Sequence, residues 1–124
     1  MAKKILVIDD EELIIKTLSK LLEKNGYEVF IAKNGEDAVV MTEEEKFDLL
    51  IVDIRMPGLN GVETIERIYK MLNTRKQAKM PVIFISGYAD EQIEKQIKKI
   101  APVAYVHKPF DIESIIETIK KIIN

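Results

Sequence analysis

Short apolar runs alternate along the chain with longer segments in which apolar residues recur at helical spacing. The apolar runs predict five β-strands, at residues 4–8, 27–32, 47–53, 81–87 and 103–106. The other segments predict five α-helices, at about residues 11–24, 36–45, 61–73, 90–99 and 112–124. Strands that alternate with helices form parallel sheets covered by helices on both faces. We therefore predict one α/β domain over residues 1–124, with a doubly wound, five-stranded parallel sheet.

The apolarity of the strands predicts their order in the sheet. The first, third and fourth runs are almost wholly apolar, which is typical of strands buried on both faces. The second run includes Glu28, and the fifth is short with polar flanks. Placing the purely apolar strands in the centre and the other two at the edges matches the order 2-1-3-4-5, which is already known for the flavodoxin-like arrangement.

Apolar stripes predict which face of each helix packs on the sheet. The stripe of the third helix comprises Val62, Ile65, Ile68 and Leu72, and that of the first comprises Ile14, Leu18, Leu21 and Leu22. The fourth helix has only Ile93, Ile97 and Ile100. We therefore expect the fourth helix to be the most weakly anchored.

Composition and charge exclude several classes of function. Of the 124 residues, 47% are hydrophobic and 32% are charged, as in soluble globular proteins. A net charge of −2 without a basic face gives no footprint for nucleic acid. No apolar run approaches the roughly 18 residues of a membrane span, and no signal peptide pattern opens the sequence. The absence of cysteine excludes disulfides, so we expect a cytoplasmic protein.

Polar residues of compatible chemistry follow four of the predicted strands: Asp9 and Asp10, then Asp53, Ser86 and Lys108. Because the carboxyl ends of parallel strands share one edge of the sheet, these residues should meet in one crevice. Carboxylates about 4 Å apart repel one another by roughly 4 kcal/mol per pair, so at least one carboxyl pKa should rise unless cations neutralise the charge. Lys108 can neutralise one carboxylate, and Mg²⁺ suits the others.

Each of these residues also has an ordinary interpretation. Asp9 and Asp10 could cap the first helix, Ser86 could be a loop hydroxyl, and Lys108 could be a solvated charge. His107 should point away from the crevice, because neighbouring strand residues face opposite sides. The coincidence at four strand ends instead favours phosphoryl transfer, with an aspartate nucleophile assisted by Mg²⁺, a hydroxyl and an ammonium.

The full set of motifs resembles the receiver domain of two-component response regulators. These motifs are Asp9-Asp10, Asp53 followed by Met56-Pro57-Gly58, Ser86-Gly87, Tyr105, and Lys108-Pro109-Phe110. The resemblance covers the whole chain and suggests a stand-alone, chemotaxis-regulator-like receiver, while a receiver excised from a longer regulator fits the sequence as well.

The resemblance implies that Asp53 accepts a phosphoryl group from a phosphohistidine of a histidine kinase or histidine phosphotransfer protein. It implies that Mg²⁺ is coordinated by Asp10, Asp53 and the backbone carbonyl of Arg55, with Asp9 contributing through water. By the same resemblance, the chain is not an enzyme with an external substrate and catalyses only its own phosphorylation and dephosphorylation.

Four further roles follow from the resemblance. Ser86 would hydrogen-bond a phosphoryl oxygen, and Lys108 would pair with the phosphoryl group beside a cis peptide bond to Pro109. Tyr105 would turn inward when Ser86 moves. The helix at 90–99 would then shift, and an output protein of unknown identity would recognise this helix together with the fifth strand and the fifth helix.

Other expectations concern stability of the phosphorylated state and assembly. Arg55 and Tyr88 lie two residues beyond Asp53 and Ser86, so we expect their bulk to hinder an attacking water. The chain is expected to be a monomer or a weak homodimer that binds neither nucleic acid directly nor membranes.

Two other functions stay open at this point. An Mg²⁺-dependent aspartyl phosphatase of the haloacid dehalogenase type would also use a strand-end aspartate, but its Asp-x-Asp pattern after the first strand is absent. A phosphorylation-independent scaffold could have the same fold. A flavin carrier is disfavoured because no Ser/Thr/Gly-rich phosphate loop follows the first strand.

Overall fold

A computed structural model describes residues 2–87 and 90–124 of the chain. The strands are β1 (Lys4–Ile8), β2 (Glu28–Ala32), β3 (Leu49–Asp53), β4 (Val82–Ser86) and β5 (Ala104–His107). The helices are α1 (Glu12–Lys24), α2 (Gly35–Glu44), α3 (Gly61–Thr74), α4 (Glu91–Ile100) and α5 (Ile112–Ile123). The ten predicted elements are therefore confirmed, with ends displaced by at most two residues. None of these described helices is long and apolar enough to cross a bilayer.

The strands form one parallel sheet in the predicted order β2-β1-β3-β4-β5. In its register Ile8 lies opposite Val52, and Asp53 lies opposite Ile85. The ends of the three central strands are therefore aligned at one edge of the sheet, where their last residues and the loops that follow come together.

Helices cover both faces of the sheet, as predicted, and each face has its own apolar core. One core packs side chains of α2, α3 and α4 on strand residues such as Leu50 and Val52. The other packs α1 and α5 on strand residues such as Leu49 and Ile51. The alternation along β3 explains why its residues 49–52 are all apolar, since neighbouring residues enter different cores.

The predicted stripe of α3 is confirmed, because all four of its residues are buried. The predicted stripe of α1 was wrong in one respect. Its buried residues are Ile15, Leu18 and Leu22, while Ile14 and Leu21 are only partly buried at the margin. Ile15 was missed because two adjacent isoleucines fit the helical spacing equally well, and only packing on the sheet selects between them.

The weak anchoring of α4 is also confirmed. Ile97 is its one buried residue, and Ile93 and Ile100 are partly buried against the same core. Its start is fixed by Asp90, whose Oδ1 accepts a hydrogen bond of 2.8 Å from the backbone N–H of Ile93. An N-cap of this kind stabilises the first turn, but it adds no contact with the sheet.

A close backbone contact connects the end of β3 to the start of α3. The N–H of Gly61 donates to the carbonyl of Ile54 at 2.8 Å. Asn60 and Glu63 form a reciprocal capping box that fixes the first turn of α3. The loop that leaves the acidic strand end is therefore restrained at both of its ends.

Candidate functional site

Three carboxylates meet where β1 and β3 end. One oxygen each of Asp9, Asp10 and Asp53 lies within 4.8 Å of the other two. Asp9 and Asp53 are buried, with 1% and 3% of their surface exposed, whereas Asp10 is exposed. The predicted convergence of these residues on one crevice is thus found in the structure.

The two oxygens of Asp9 have different surroundings. Oδ1 accepts a hydrogen bond of 2.9 Å from the backbone N–H of Glu11. Oδ2 is buried and has no hydrogen-bond partner among residues 2–87 and 90–124. A buried carboxylate oxygen without a partner is costly. Together with the oxygens of Asp10 and Asp53 it gives an all-oxygen donor set, which fits Mg²⁺.

Burial raises the pKa values of both inner carboxyl groups. It raises the pKa of Asp9 to about 7, and although the Glu11 N–H opposes the rise, the charge of Asp53 adds to it. Burial also raises the pKa of Asp53, against the opposing effects of the Lys108 charge and the Arg55 N–H, which lies 3.4 Å from Oδ1. The expected direction of a carboxyl pKa shift in this cluster is therefore found, but its main cause is burial, and the repulsion between carboxylates that the sequence suggested is a smaller effect, seen only at Asp9.

Lys108 reaches the cluster from the loop after β5. Its Nζ lies 3.5 Å from Asp53 Oδ2 and 2.6 Å from Glu11 Oε1. Its backbone N–H donates to the Ser86 carbonyl at 2.9 Å, and its peptide bond to Pro109 is cis. Burial lowers the pKa of Lys108, but the Glu11 hydrogen bond and the charges of Asp53 and Asp9 outweigh it, so the pKa is raised.

Glu11 belongs to the site but was not predicted from the sequence, which drew attention only to Asp9 and Asp10 in the acidic run after β1. It is the N-cap of α1, yet its side chain makes no capping hydrogen bond. Glutamate is not among the residues favoured at this position. The available signal was that Glu11 is the third acidic residue after β1 and that glutamate is a poor N-cap. This indicates that the Glu11 side chain makes a different contact.

Ser86 is fully buried at the end of β4, the strand next to β3. Arg55 is exposed on the β3–α3 loop and lines a cavity of about 490 Å³ together with Met56, Asn60 and Asp90. Tyr88, which was expected beside Arg55 at the mouth of the site, lies outside the described residues.

Tyr105 and His107 lie on the same face of β5, with ring centroids 4.6 Å apart. The Tyr105 ring packs against the core shared with α4. Its hydroxyl oxygen is buried without a hydrogen-bond partner in the described part of the chain. His107 is exposed and paired with this ring, consistent with the expectation that it faces away from the acidic cluster.

Residues 5–120 match the profile of the response regulator receiver domain. The chain is 34% identical over 126 residues to the transcriptional regulatory protein CrdR of Helicobacter pylori, an alignment that covers 100% of the chain and 56% of CrdR. The chain therefore spans about half the length of this relative.

Two solved structures are also similar. A CheY-like receiver domain protein of Methanospirillum hungatei matches with a TM-score of 0.88 and 30% identity, over 98% of this chain and 93% of that one. A Burkholderia pseudomallei response regulator, solved with a phosphorylated aspartic acid and a calcium ion, matches with a TM-score of 0.79 and 31% identity. That match covers 94% of this chain and 65% of the other.

Proposed function

The chain belongs to the response regulator receiver domain family, and on this premise we propose that Asp53 accepts a phosphoryl group from a phosphohistidine and thereby operates a signalling switch. The observation that supports this most strongly is the cluster of three carboxylate oxygens within 4.8 Å, with the Lys108 ammonium 3.5 Å from Asp53. This arrangement places the nucleophile Asp53, the oxygen donors for a cation and the positive charge of Lys108 at the same end of the sheet.

In the proposed transfer, an ionised oxygen of Asp53 attacks the phosphorus atom. The new P–O bond forms as the P–N bond to the histidine breaks. The bonding electron pair stays on that ring nitrogen, and because the other ring nitrogen already carries a proton, the histidine leaves as a neutral imidazole. Lys108 offsets negative charge on the phosphoryl group, and the Ser86 hydroxyl donates a hydrogen bond to one of its oxygens. Positioning and charge compensation are the main requirements of such a reaction.

The carboxylates of Asp9, Asp10 and Asp53, with the backbone carbonyl of Arg55, would hold Mg²⁺. When bound, Mg²⁺ supplies positive charge that stabilises the transferring phosphoryl group. Asp9 Oδ2, which is buried and lacks a hydrogen-bond partner within the described ranges, supports this assignment. The Burkholderia pseudomallei relative was solved with a calcium ion and a phosphorylated aspartic acid, which supports a role for a divalent cation and a phosphorylated aspartate here.

The proposed output is a movement of α4. A phosphoryl group adds a charge of about −1.5 to −2 at Asp53, which attracts Ser86 and Lys108 and draws in the loop after β4. Because Ile97 is the one buried residue of α4, that helix should shift first. Tyr105 packs on the same core and would follow. Partners must bind the two states of the α4–β5–α5 surface unequally for this shift to signal.

The partners proposed here are a histidine kinase or histidine phosphotransfer protein as donor and an output protein that binds the α4–β5–α5 surface. We place this exchange in the cytoplasm, with the chain a monomer or a weak homodimer. Neither nucleic acid nor a membrane is a direct partner in this proposal. The chain would catalyse only its own phosphorylation and dephosphorylation.

Intact-mass spectrometry after incubation with acetyl phosphate tests the proposal. The native chain should gain one phosphoryl group with Mg²⁺ and none with EDTA. Asp53→Asn should gain none, whereas Asp37→Asn, an exposed control on α2, should behave as the native chain. Incorporation that is equal in Asp53→Asn would contradict the proposal, and sustained turnover of p-nitrophenyl phosphate would identify a phosphatase instead.

A further inference from the structure

Lys108 is shared unequally between two carboxylates. Its Nζ makes a hydrogen bond of 2.6 Å to Glu11 Oε1, while Asp53 Oδ2 lies 3.5 Å away. Charge-assisted hydrogen bonds of this kind are strongest near 2.7–2.9 Å and weaken as the atoms separate. In this structure the main partner of the ammonium is therefore Glu11, not the proposed phosphoryl acceptor.

The backbone of Glu11 is fixed to the acidic cluster. Its N–H donates to Asp9 Oδ1 at 2.9 Å, and its carbonyl accepts from the N–H of Ile15 at 3.0 Å. The side chain is 56% exposed, whereas that of Lys108 is only 18% exposed. Glu11 is thus a held carboxylate at the rim of the site, from which it can both bind Lys108 and lose it.

We propose that Glu11 is a positioning residue that divides Lys108 between two states of the site. Before phosphorylation, Glu11 makes the shorter contact with the ammonium and so weakens its pairing with Asp53, which leaves the oxygens of the cluster more available to a divalent cation. After phosphorylation, the larger negative charge at Asp53 draws Lys108 away from Glu11. This inference rests on the proposed function of Asp53 and adds to it the residue that regulates Lys108.

Replacing Glu11 by glutamine should then have two effects of opposite sign. Lys108, released from Glu11, would be free to pair more closely with Asp53, so Mg²⁺ would have to compete with it more strongly, and Mg²⁺ affinity should fall about three-fold. The same freedom should favour the phosphorylated form, so beryllofluoride, a phosphoryl analogue, should bind about three-fold more tightly at saturating Mg²⁺. If Glu11 has a purely structural role at the start of α1, Glu11→Gln should lower both the Mg²⁺ affinity and the beryllofluoride affinity, or change neither of them.

The experiment measures Mg²⁺ affinity by calorimetry and beryllofluoride affinity by NMR for the native chain and Glu11→Gln. Glu12→Gln is the matched control, because it removes the same charge from the same acidic run while its carboxylate pairs with Lys33 at 2.5 Å. Lys108→Met, with and without Glu11→Gln, tests whether the effect acts through Lys108.

We expect Glu11→Gln to lower Mg²⁺ affinity and raise beryllofluoride affinity. Neither change should occur in Glu12→Gln or when Glu11→Gln is made in the Lys108→Met background. The role of Glu11 would be overturned if both affinities changed in the same direction or did not change. It would also be overturned if Glu12→Gln gave equal changes, or if the changes persisted without Lys108. If one of these results is found while the native chain still binds beryllofluoride, the role of Glu11 fails and the proposed function of Asp53 stands. A native chain that binds neither Mg²⁺ nor beryllofluoride would overturn the proposed function as well.

Discussion

Gly61 lies so close to the backbone of Asp53 that a β-carbon at position 61 would stand 2.4 Å from the Asp53 carbonyl oxygen. It would also stand 2.8 Å from the α-carbon of Ile54. These are backbone atoms, which cannot rotate away as a side chain can. The position of the proposed phosphoryl acceptor therefore depends on the missing side chain of a residue eight positions further along the chain.

Gly61→Ala should lower the free energy of unfolding by about 1–3 kcal/mol, because the added methyl group overpacks a rigid contact. Urea denaturation measures this directly. Gly87→Ala is the control, since its β-carbon would meet its nearest atoms, in Lys108, at 3.9 Å. Its stability should be unchanged or slightly raised. Equal stability of Gly61→Ala and the native chain would contradict the overpacking.

The raised pKa of Asp9 predicts a pH-dependent stability. Burial raises it from 3.8 to about 7, so the folded chain binds this proton more tightly than the unfolded chain does. The stabilisation is complete below about pH 4 and is lost as the pH rises to about 7. Without Mg²⁺, Asp9→Asn should therefore gain stability over the native chain as the pH rises, by on the order of a few kcal/mol at pH 8.

Urea denaturation in EDTA at pH 5 and pH 8 measures this difference between Asp9→Asn and the native chain. Adding Mg²⁺ at pH 8 should reduce the difference, because a cation compensates the ionised carboxylates. A difference that is the same at both pH values would contradict the account of Asp9.

The phosphoryl switch predicts spectral changes far from Asp53. With Mg²⁺ and beryllofluoride, backbone amide shifts should change across residues 86–106, because the loop after β4 and the weakly anchored α4 should move together. Heteronuclear NMR measures this, and α2, which packs on the opposite side of α3, is an internal control. Changes confined to the acidic cluster would show that binding does not reach α4.

The bulk of Arg55 is predicted to protect the aspartyl phosphate. Arg55→Ala should lose its phosphoryl group about two- to five-fold faster, because a smaller side chain admits water to the phosphorus more readily. Intact mass followed over time gives the rate. Arg67→Ala, on the exposed side of α3, should leave the rate unchanged, and an unchanged rate in Arg55→Ala would remove the protective role.

The Tyr105 hydroxyl, which has no hydrogen-bond partner among residues 2–87 and 90–124, predicts a substitution that stabilises the chain. Tyr105→Phe should raise the free energy of unfolding by about 1 kcal/mol, because it removes a buried group that lacks a hydrogen bond. Tyr69→Phe should lower it by a similar amount, because the Tyr69 hydroxyl donates to the Met80 carbonyl at 2.9 Å. If Tyr105→Phe and Tyr69→Phe lower the free energy of unfolding equally, the Tyr105 hydroxyl has a hydrogen-bond partner and the prediction is wrong.

The sequence predicted the fold and the location of the site because both depend on periodic patterns. Apolar strands predict a parallel sheet, and a parallel sheet aligns the residues that follow its strands, which is how Asp9 and Asp53 could be joined across the chain. The bond between Lys108 and Glu11 has no such pattern. It connects residues 97 positions apart and depends on the direction of two flexible side chains.

The contact partner of a side chain and the burial of a single atom can be predicted only when the folded geometry is known. The sequence indicated that a carboxyl pKa would rise, but not that Asp9 Oδ2 would be a buried oxygen without a hydrogen-bond partner in the part of the chain that the structure describes. Likewise, the choice of Ile15 over Ile14 for the core depends on the rotation of α1 against the sheet, which adjacent isoleucines do not specify.

The most direct test of the account is to identify the residue that takes the phosphoryl group. Borohydride reduces an aspartyl phosphate to homoserine, so peptide mass spectrometry after acetyl phosphate, Mg²⁺ and borohydride reports the modified position. We predict homoserine at position 53 and at no other aspartate. Homoserine at Asp9, Asp10 or elsewhere, or unmodified Asp53 in a phosphorylated chain, would contradict the account.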